Sequence, residues 1–208
     1  MTVRAHVVDR VIRAPFAAIG RSKVAIISIA ATYAISILVG VAMVSSGTAV
    51  ALDRRDQIVG AAQSDASLVA LRAGEPVRAA LLDFASNLVL GGVTSTILGV
   101  SVVGVYPIVA YRGWVGGIVS VDSRHQSRLG DPSEAGYYLM TLLLQLIPYS
   151  IAGGVGVQLG VDAWRAVRRP RRDVWLGLPT DRLRDIAQAY VLIVPLFLVA
   201  ALFEFLAA

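Results

Sequence analysis

Residues 84–121 read FASNLVLGGVTSTILGVSVVGVYPIVAYRGWVGGIVSV, an unbroken apolar stretch that carries one charge, Arg112. It is nearly twice as long as one crossing needs, because about 20 residues rising about 1.5 Å each span a bilayer core. Near its middle lies Gly104-Val105-Tyr106-Pro107. Glycine permits unusual backbone angles, and proline disfavours helix at the residue before it. A hairpin of two helices that reverses at Gly104 and Pro107 is therefore expected.

The basic residues decide between one crossing and two. Arg4, Arg10, Arg13, Arg21 and Lys23 precede the first apolar stretch, near 23–45. Arg165, Arg168, Arg169, Arg171, Arg172, Arg182 and Arg184 lie in 162–185, between stretches near 137–161 and 186–206. Short cytoplasmic segments collect Lys and Arg. Four crossings would put 162–185 outside; splitting 84–121 into spans near 84–103 and 107–121 brings both basic segments inside. The outside then receives 47–83 and 122–135, in which acids match or exceed bases. The expectation is an all-α polytopic membrane protein with five transmembrane helices, amino terminus cytoplasmic and carboxyl terminus outside.

Composition agrees with a membrane chain. Of 208 residues, 56% are hydrophobic and 16% charged, and mean hydropathy is +0.69. The net charge of +5 is explained by orientation and by contact with anionic lipid, without a nucleic-acid partner. With no cysteine, disulfides and thiolate sites are excluded. The stretch from Val24 to Val44 exceeds the roughly 7–15 residues of a signal-peptide core, so a retained anchor is expected.

Outside the spans, Val3, Val7, Val8, Val11 and Ile12 share one helical face, which suggests a cytoplasmic interfacial helix within 1–22, broken at Pro15 and Gly20. Residues 52–73 have helical spacing and should form an external helix that stops at Gly74 and Pro76. Asp181 is placed to cap the last helix.

Helices in lipid associate through small residues. Gly113-x-x-x-Gly117 and Gly156-x-x-x-Gly160 fit that pattern, as does the looser Ser95-x-x-x-Gly99. Their expected role is helix packing within the chain, with contact to a partner or a second copy as the alternative. Polar residues at membrane depth are costly to bury unpaired; here they are Asn87, Arg112, Gln145, Tyr149, Gln158 and Glu204. Arg112 lies close to Pro107, so its side chain is expected to snorkel to the cytoplasmic interface, away from Glu204. Asn87 and Glu204 share a depth and are placed to pair. Gln145, Pro148 and Tyr149 lie near mid-bilayer, and the proline frees a carbonyl one turn earlier. Asn87, Gln145, Pro148, Tyr149 and Glu204 form the candidate polar site. His6 and His125 are too isolated for a metal site. No G-x-S-x-G turn, phosphate loop or pair of intramembrane acids occurs, so neither catalysis nor a cofactor is expected.

In order and spacing, these motifs resemble the stage II sporulation protein M family of prokaryotic membrane proteins. Phe84-x-x-Asn87 is similar to its entry to the second span, and Val102-Val103-Gly104-Val105-Tyr106-Pro107 with Gly113-x-x-x-Gly117 to its hairpin and third span. Leu146-Ile147-Pro148-Tyr149-Ser150-Ile151 with Gly154, Gly156 and Gly160 resembles its proline-centred motif, and Ala200-Ala201-Leu202-Phe203-Glu204 its closing span. Tyr149 and Ser150 stand where many members have histidine and glycine, Gly153 near the place of a glutamate, and Arg112 where an asparagine is usual. The resemblance implies a non-enzymatic scaffold that recruits other membrane or envelope proteins, as the sporulation member does in septal wall remodelling. The alternative, drawn from Pro148 and its polar neighbours, is a permease-like subunit that moves an ion, lipid or small solute.

Overall fold

The computed structural model describes residues 13–168 and 173–207. The expected interfacial helix over 3–12 lies outside the described residues. From 13 to 21 the chain is helical (α1), so Pro15 and Gly20 do not break it there. The rest is a bundle of helices: α2 (Lys23–Ser45), α3 (Ala49–Ala62), α4 (Ala66–Arg72), α5 (Pro76–Ser86), a π-helical segment (Asn87–Val93), α6 (Thr94–Gly99), α7 (Val105–Ile118), α8 (Pro132–Arg168) and α9 (Thr180–Leu206). One small hairpin, not anticipated, pairs Val174–Trp175 with Leu178–Pro179 across Leu176 and Gly177, both at positive φ.

Local chemistry sets the boundaries. Gly47 at φ 71° closes the end of α2, and Gly74 at φ 78° follows α4. Asp65 caps α4 by accepting the Ser67 N–H at 2.8 Å. The expected single external helix is thus two, α3 and α4. Pro76 starts α5, where its missing N–H costs nothing. α9 has Pro179 as its N-cap, and Asp181 lies inside its first turn without capping it.

Among the described residues four helical stretches are long and apolar enough to cross a bilayer: Lys23–Ser45, Pro76–Gly99, Pro132–Arg168 and Thr180–Leu206. The chain does reverse inside 84–121, but the turn is residues 100–104 rather than Gly104 to Pro107. Val102 takes the positive φ of 66°, while Gly104 is helical at φ −64°. Ser101 holds the turn, accepting the Gly104 N–H at 2.9 Å and donating to the Leu98 carbonyl at 2.7 Å. Pro107 falls in the first turn of α7. At 14 residues α7 rises about 21 Å, less than the about 30 Å of a bilayer core.

The small-residue motifs pack helices within the chain. A Cβ on Gly113 or Gly117 would strike the α2 carbonyls of Tyr33 and Ile37, and one on Gly40 would lie 2.5 Å from the Trp114 carbonyl. α2 and α7 therefore touch backbone to backbone. Gly156 and Gly160 do the same against the carbonyls of Thr96 and Val100, and Gly99 packs against Gly156, joining α6 to α8. Around these contacts the main core gathers Ile29, Tyr33, Val105, Val109, Tyr149, Val155, Ile193 and Phe197. A second cluster of Ala70, Ala79, Ala80, Ala201 and Phe205 seats α4 and α5 on α9.

Candidate functional site

Tyr149 is the hub. It is 2% exposed, set edge-on to Phe197 with ring centroids 4.9 Å apart, and stacked at 6.4 Å on Tyr33. Its hydroxyl donates to Asn87 Oδ1 at 2.6 Å and accepts from Arg112 Nη1 at 2.7 Å. Asn87 Nδ2 in turn donates to Asp83 at 2.8 Å, and the Arg112 guanidinium lies 4.8 Å from the Tyr149 ring centre. The hydrogen-bonded groups come from α5 and the π-segment, α7 and α8, and meet for a local reason. Asn87–Val93 is wound as a π-helix, and Gly91 and Gly92 on it leave room for the rings of Tyr149 and Phe197, which any Cβ there would enter. The Leu90 carbonyl of this segment accepts Arg112 Nη2 at 2.9 Å. π-segments recur at functional sites in helices.

Next to the hub is a cavity of about 1000 Å³. Along one side α7 presents Ile108, Tyr111, Arg112, Val115 and Val119; along the other α8 presents Tyr137, Tyr138, Thr141, Leu142, Gln145 and Tyr149. Tyr33, Asn87 and Glu204 complete the wall, and Asp122, Arg128 and Glu134 lie at the loop end. From Glu134 to Tyr149 the α8 wall is about 22 Å long at a helical rise. The gap exists because α7 lies along α2, held there by Gly113 and Gly117, and not along α8. Such a cavity, mostly apolar with a few polar groups, is the usual form of a small-molecule site.

Four of the five residues expected from sequence line this cavity: Asn87, Gln145, Tyr149 and Glu204. Pro148 does not; it is buried inside a continuous α8. Two expected geometries differ. Asn87 bonds Asp83 and Tyr149, while Glu204 accepts from Gln145 Nε2 at 3.0 Å, and the Glu204 carbonyl accepts the Tyr137 hydroxyl at 2.6 Å. Arg112 does not run to the interface. It reaches Tyr149 and shares the cavity with Glu204, because the π-segment and Tyr149 supply acceptors at its own level. Asp83, Leu90 and Tyr33 were not singled out from sequence. An acid four residues before Asn87 was the available signal for Asp83.

A second polar cluster ties α1, α8 and α9 together at the other end. Buried Asp185 pairs with Arg21 and, at 3.0 Å, with Arg182. Buried Asp162 lies 2.7 Å from Arg182 Nε, off the line of its N–H, so that contact is an ion pair rather than a hydrogen bond. Asp162 also accepts from Gln158 at 2.9 Å and Arg165 at 3.1 Å. The hydrogen bond to Asp185 raises the Arg21 pKa above its ordinary value. At the loop end, bonds first from Arg55 and then from His125 hold the Asp56 carboxyl below its usual range. Among the described residues no group of three or more His, Asp or Glu side chains is placed to hold a metal ion.

The family model for stage II sporulation protein M matches residues 29–206. The chain belongs to the stage II sporulation protein M family. The match extends far ahead of Phe84, where the motif resemblance began, and takes in α2 from Ile29 onward and α3 through α5. Both residues that build the hub across α7 and α8, Arg112 and Tyr149, are points at which this member departs from the resemblance traced in its sequence. No curated protein and no solved structure matches the chain.

Proposed function

We propose that this family member is a non-enzymatic, permease-like subunit of a prokaryotic plasma membrane, admitting a small solute or lipid between α7 and α8. The observation that carries the proposal is the cavity of about 1000 Å³ that reaches Tyr149, with charged and hydroxyl groups set in an apolar wall. Polar side chains at membrane depth are retained where they face a pathway or a ligand. In this reading α7 counts as a fifth crossing, made in a bilayer thinned around it, and the cavity opens to the outer face.

The chain lacks cysteine, so V115C introduces a single thiol on the cavity wall. A membrane-impermeant maleimide added outside intact cells should label it, and the purified protein in liposomes should show substrate-dependent flux. A thiol that reacts from neither side sinks the proposal.

The scaffold reading has one observation in its favour. α3 to α5 leave Val50, Val69 and Val77 more than half exposed beside polar residues, a surface suited to an envelope partner. Affinity purification from native membranes should then recover a stoichiometric partner, lost when these valines become serine.

A further inference from the structure

Arg112 and Glu204 line the same cavity but form no ion pair with each other. Each is held by neutral groups instead: Arg112 by Tyr149 and the Leu90 carbonyl, Glu204 by Gln145. Their anchors on α8, Tyr149 and Gln145, are one helical turn apart, a rise of about 6 Å. Of the five guanidinium donors, two are used in these bonds, and the others have no protein acceptor among the described residues. Of the two Glu204 carboxylate oxygens, one accepts from Gln145 and the other has no described donor.

Charges on the wall of a largely apolar cavity gain most from a ligand that neutralises them. A simple anion on Arg112 would leave Glu204 and Asp83 uncompensated, and a simple cation on Glu204 would leave Arg112 with only Asp83, three hydrogen bonds away through Tyr149 and Asn87. One molecule carrying both charges satisfies both. We propose that the cavity binds a zwitterion, its carboxylate or phosphate on the Arg112 fork and its ammonium on Glu204, with an apolar remainder against Val115, Val119 and Leu142. Planar two-oxygen anions suit an arginine fork. The proposal rests on the cavity being a ligand site, and the chemistry fits either a free apolar amino acid or an ethanolamine phospholipid headgroup.

Calorimetric titration of the purified protein with L-leucine, short-chain phosphatidylethanolamine and the matched phosphatidylglycerol separates these sources. Binding of leucine identifies a free solute; binding of phosphatidylethanolamine identifies a headgroup. Either ligand should bind about tenfold or more weakly to Arg112→Gln and to Glu204→Gln, the loss of one charge-assisted contact. Arg112→Lys should fall between. Glu204→Gln keeps a side chain able to bond Gln145, so it carries the test if Arg112→Gln fails to fold. Phosphatidylglycerol binding as tightly as phosphatidylethanolamine, with Glu204→Gln unchanged, overturns the zwitterion in favour of a plain anion. No binding by any of the three, while V115C still labels, overturns the zwitterion and leaves the cavity reading intact. Failure of that labelling overturns both.

Discussion

Gly156→Ala adds one methyl group where α8 meets α6, and the structure dictates a large effect. The new Cβ would lie 2.9 Å from the Thr96 Cα, where ordinary contact begins at 3.4 Å, and nearer still to the Thr96 carbonyl oxygen. Both neighbours are backbone, so no side chain can rotate aside; the helices must part by at least 0.5 Å. Parting them also loosens the Gly99 contact and the Thr96 hydroxyl, which lies 3.0 Å from the Ala152 carbonyl. Overpacking a rigid contact costs about 1–3 kcal/mol, and a backbone-on-backbone clash belongs at the upper end. Gly60→Ala is the internal control. Gly60 is exposed in α3 with nothing within 4 Å of its Cβ position, so alanine should stabilise by about 0.5–1 kcal/mol through helix propensity. Reversible denaturant unfolding in detergent, with both variants run beside the parent, reads the difference. Parental stability in Gly156→Ala, within about 0.5 kcal/mol, would refute the tight α6–α8 contact.

Tyr149→Phe removes the hydroxyl between Arg112 and Asn87 while keeping the ring packing; a loss of about 1–3 kcal/mol is expected by the same unfolding assay, and an unchanged midpoint would count against the hub. Asp162→Asn removes the carboxylate that pairs with Arg182 and exposed Arg165, while Arg182 keeps Asp185; about 1–2 kcal/mol should be lost, and a loss under about 0.5 kcal/mol would demote the cluster to a surface pairing. Asp65→Ala removes the cap of α4 and should cost about 1 kcal/mol at neutral pH. The Ser67 hydroxyl first, then its N–H, lowers the Asp65 pKa, so this stabilisation is complete above the ordinary carboxylate value and fades as pH falls through the lowered one. The Asp65→Ala deficit should therefore shrink in acid, and a pH-independent deficit would exclude the cap as its cause.

The sequence was most informative where one rule had no competitor. Glycine repeats in an apolar stretch can only mean close helix contact, and the structure uses Gly113, Gly117, Gly156 and Gly160 for that. A doubled apolar stretch must reverse, and it does, although Ser101 and Val102 make the turn and Pro107 lies in the first turn of the next helix. Arg112 was misplaced because its depth was judged by distance along the chain from Pro107. What holds it is lateral: Tyr149 comes from α8, and the Leu90 carbonyl from a helix that departs from 3.6 residues per turn. No apolar pattern distinguishes a π-wound turn from an α-helical one. The Asp162–Arg182–Asp185–Arg21 cluster was hidden for a similar reason, since its acids lie in a segment whose arginines alone decided orientation.

The wide turn at Asn87–Val93 has a consequence for how this helix tolerates change. Each residue of a regular helix advances the azimuth by about 100°, and the wide i→i+5 turn takes up one extra residue with little change in the angle between the half before it and the half after it. The first half can then point Ala79 and Ala80 at α9 while the second points Thr96 and Gly99 at α8. Deleting a single residue at Leu90 should let the segment rewind as regular α-helix with both faces kept in place, whereas deleting one residue from the regularly wound α6 should swing Gly99 off α8 by about 100°.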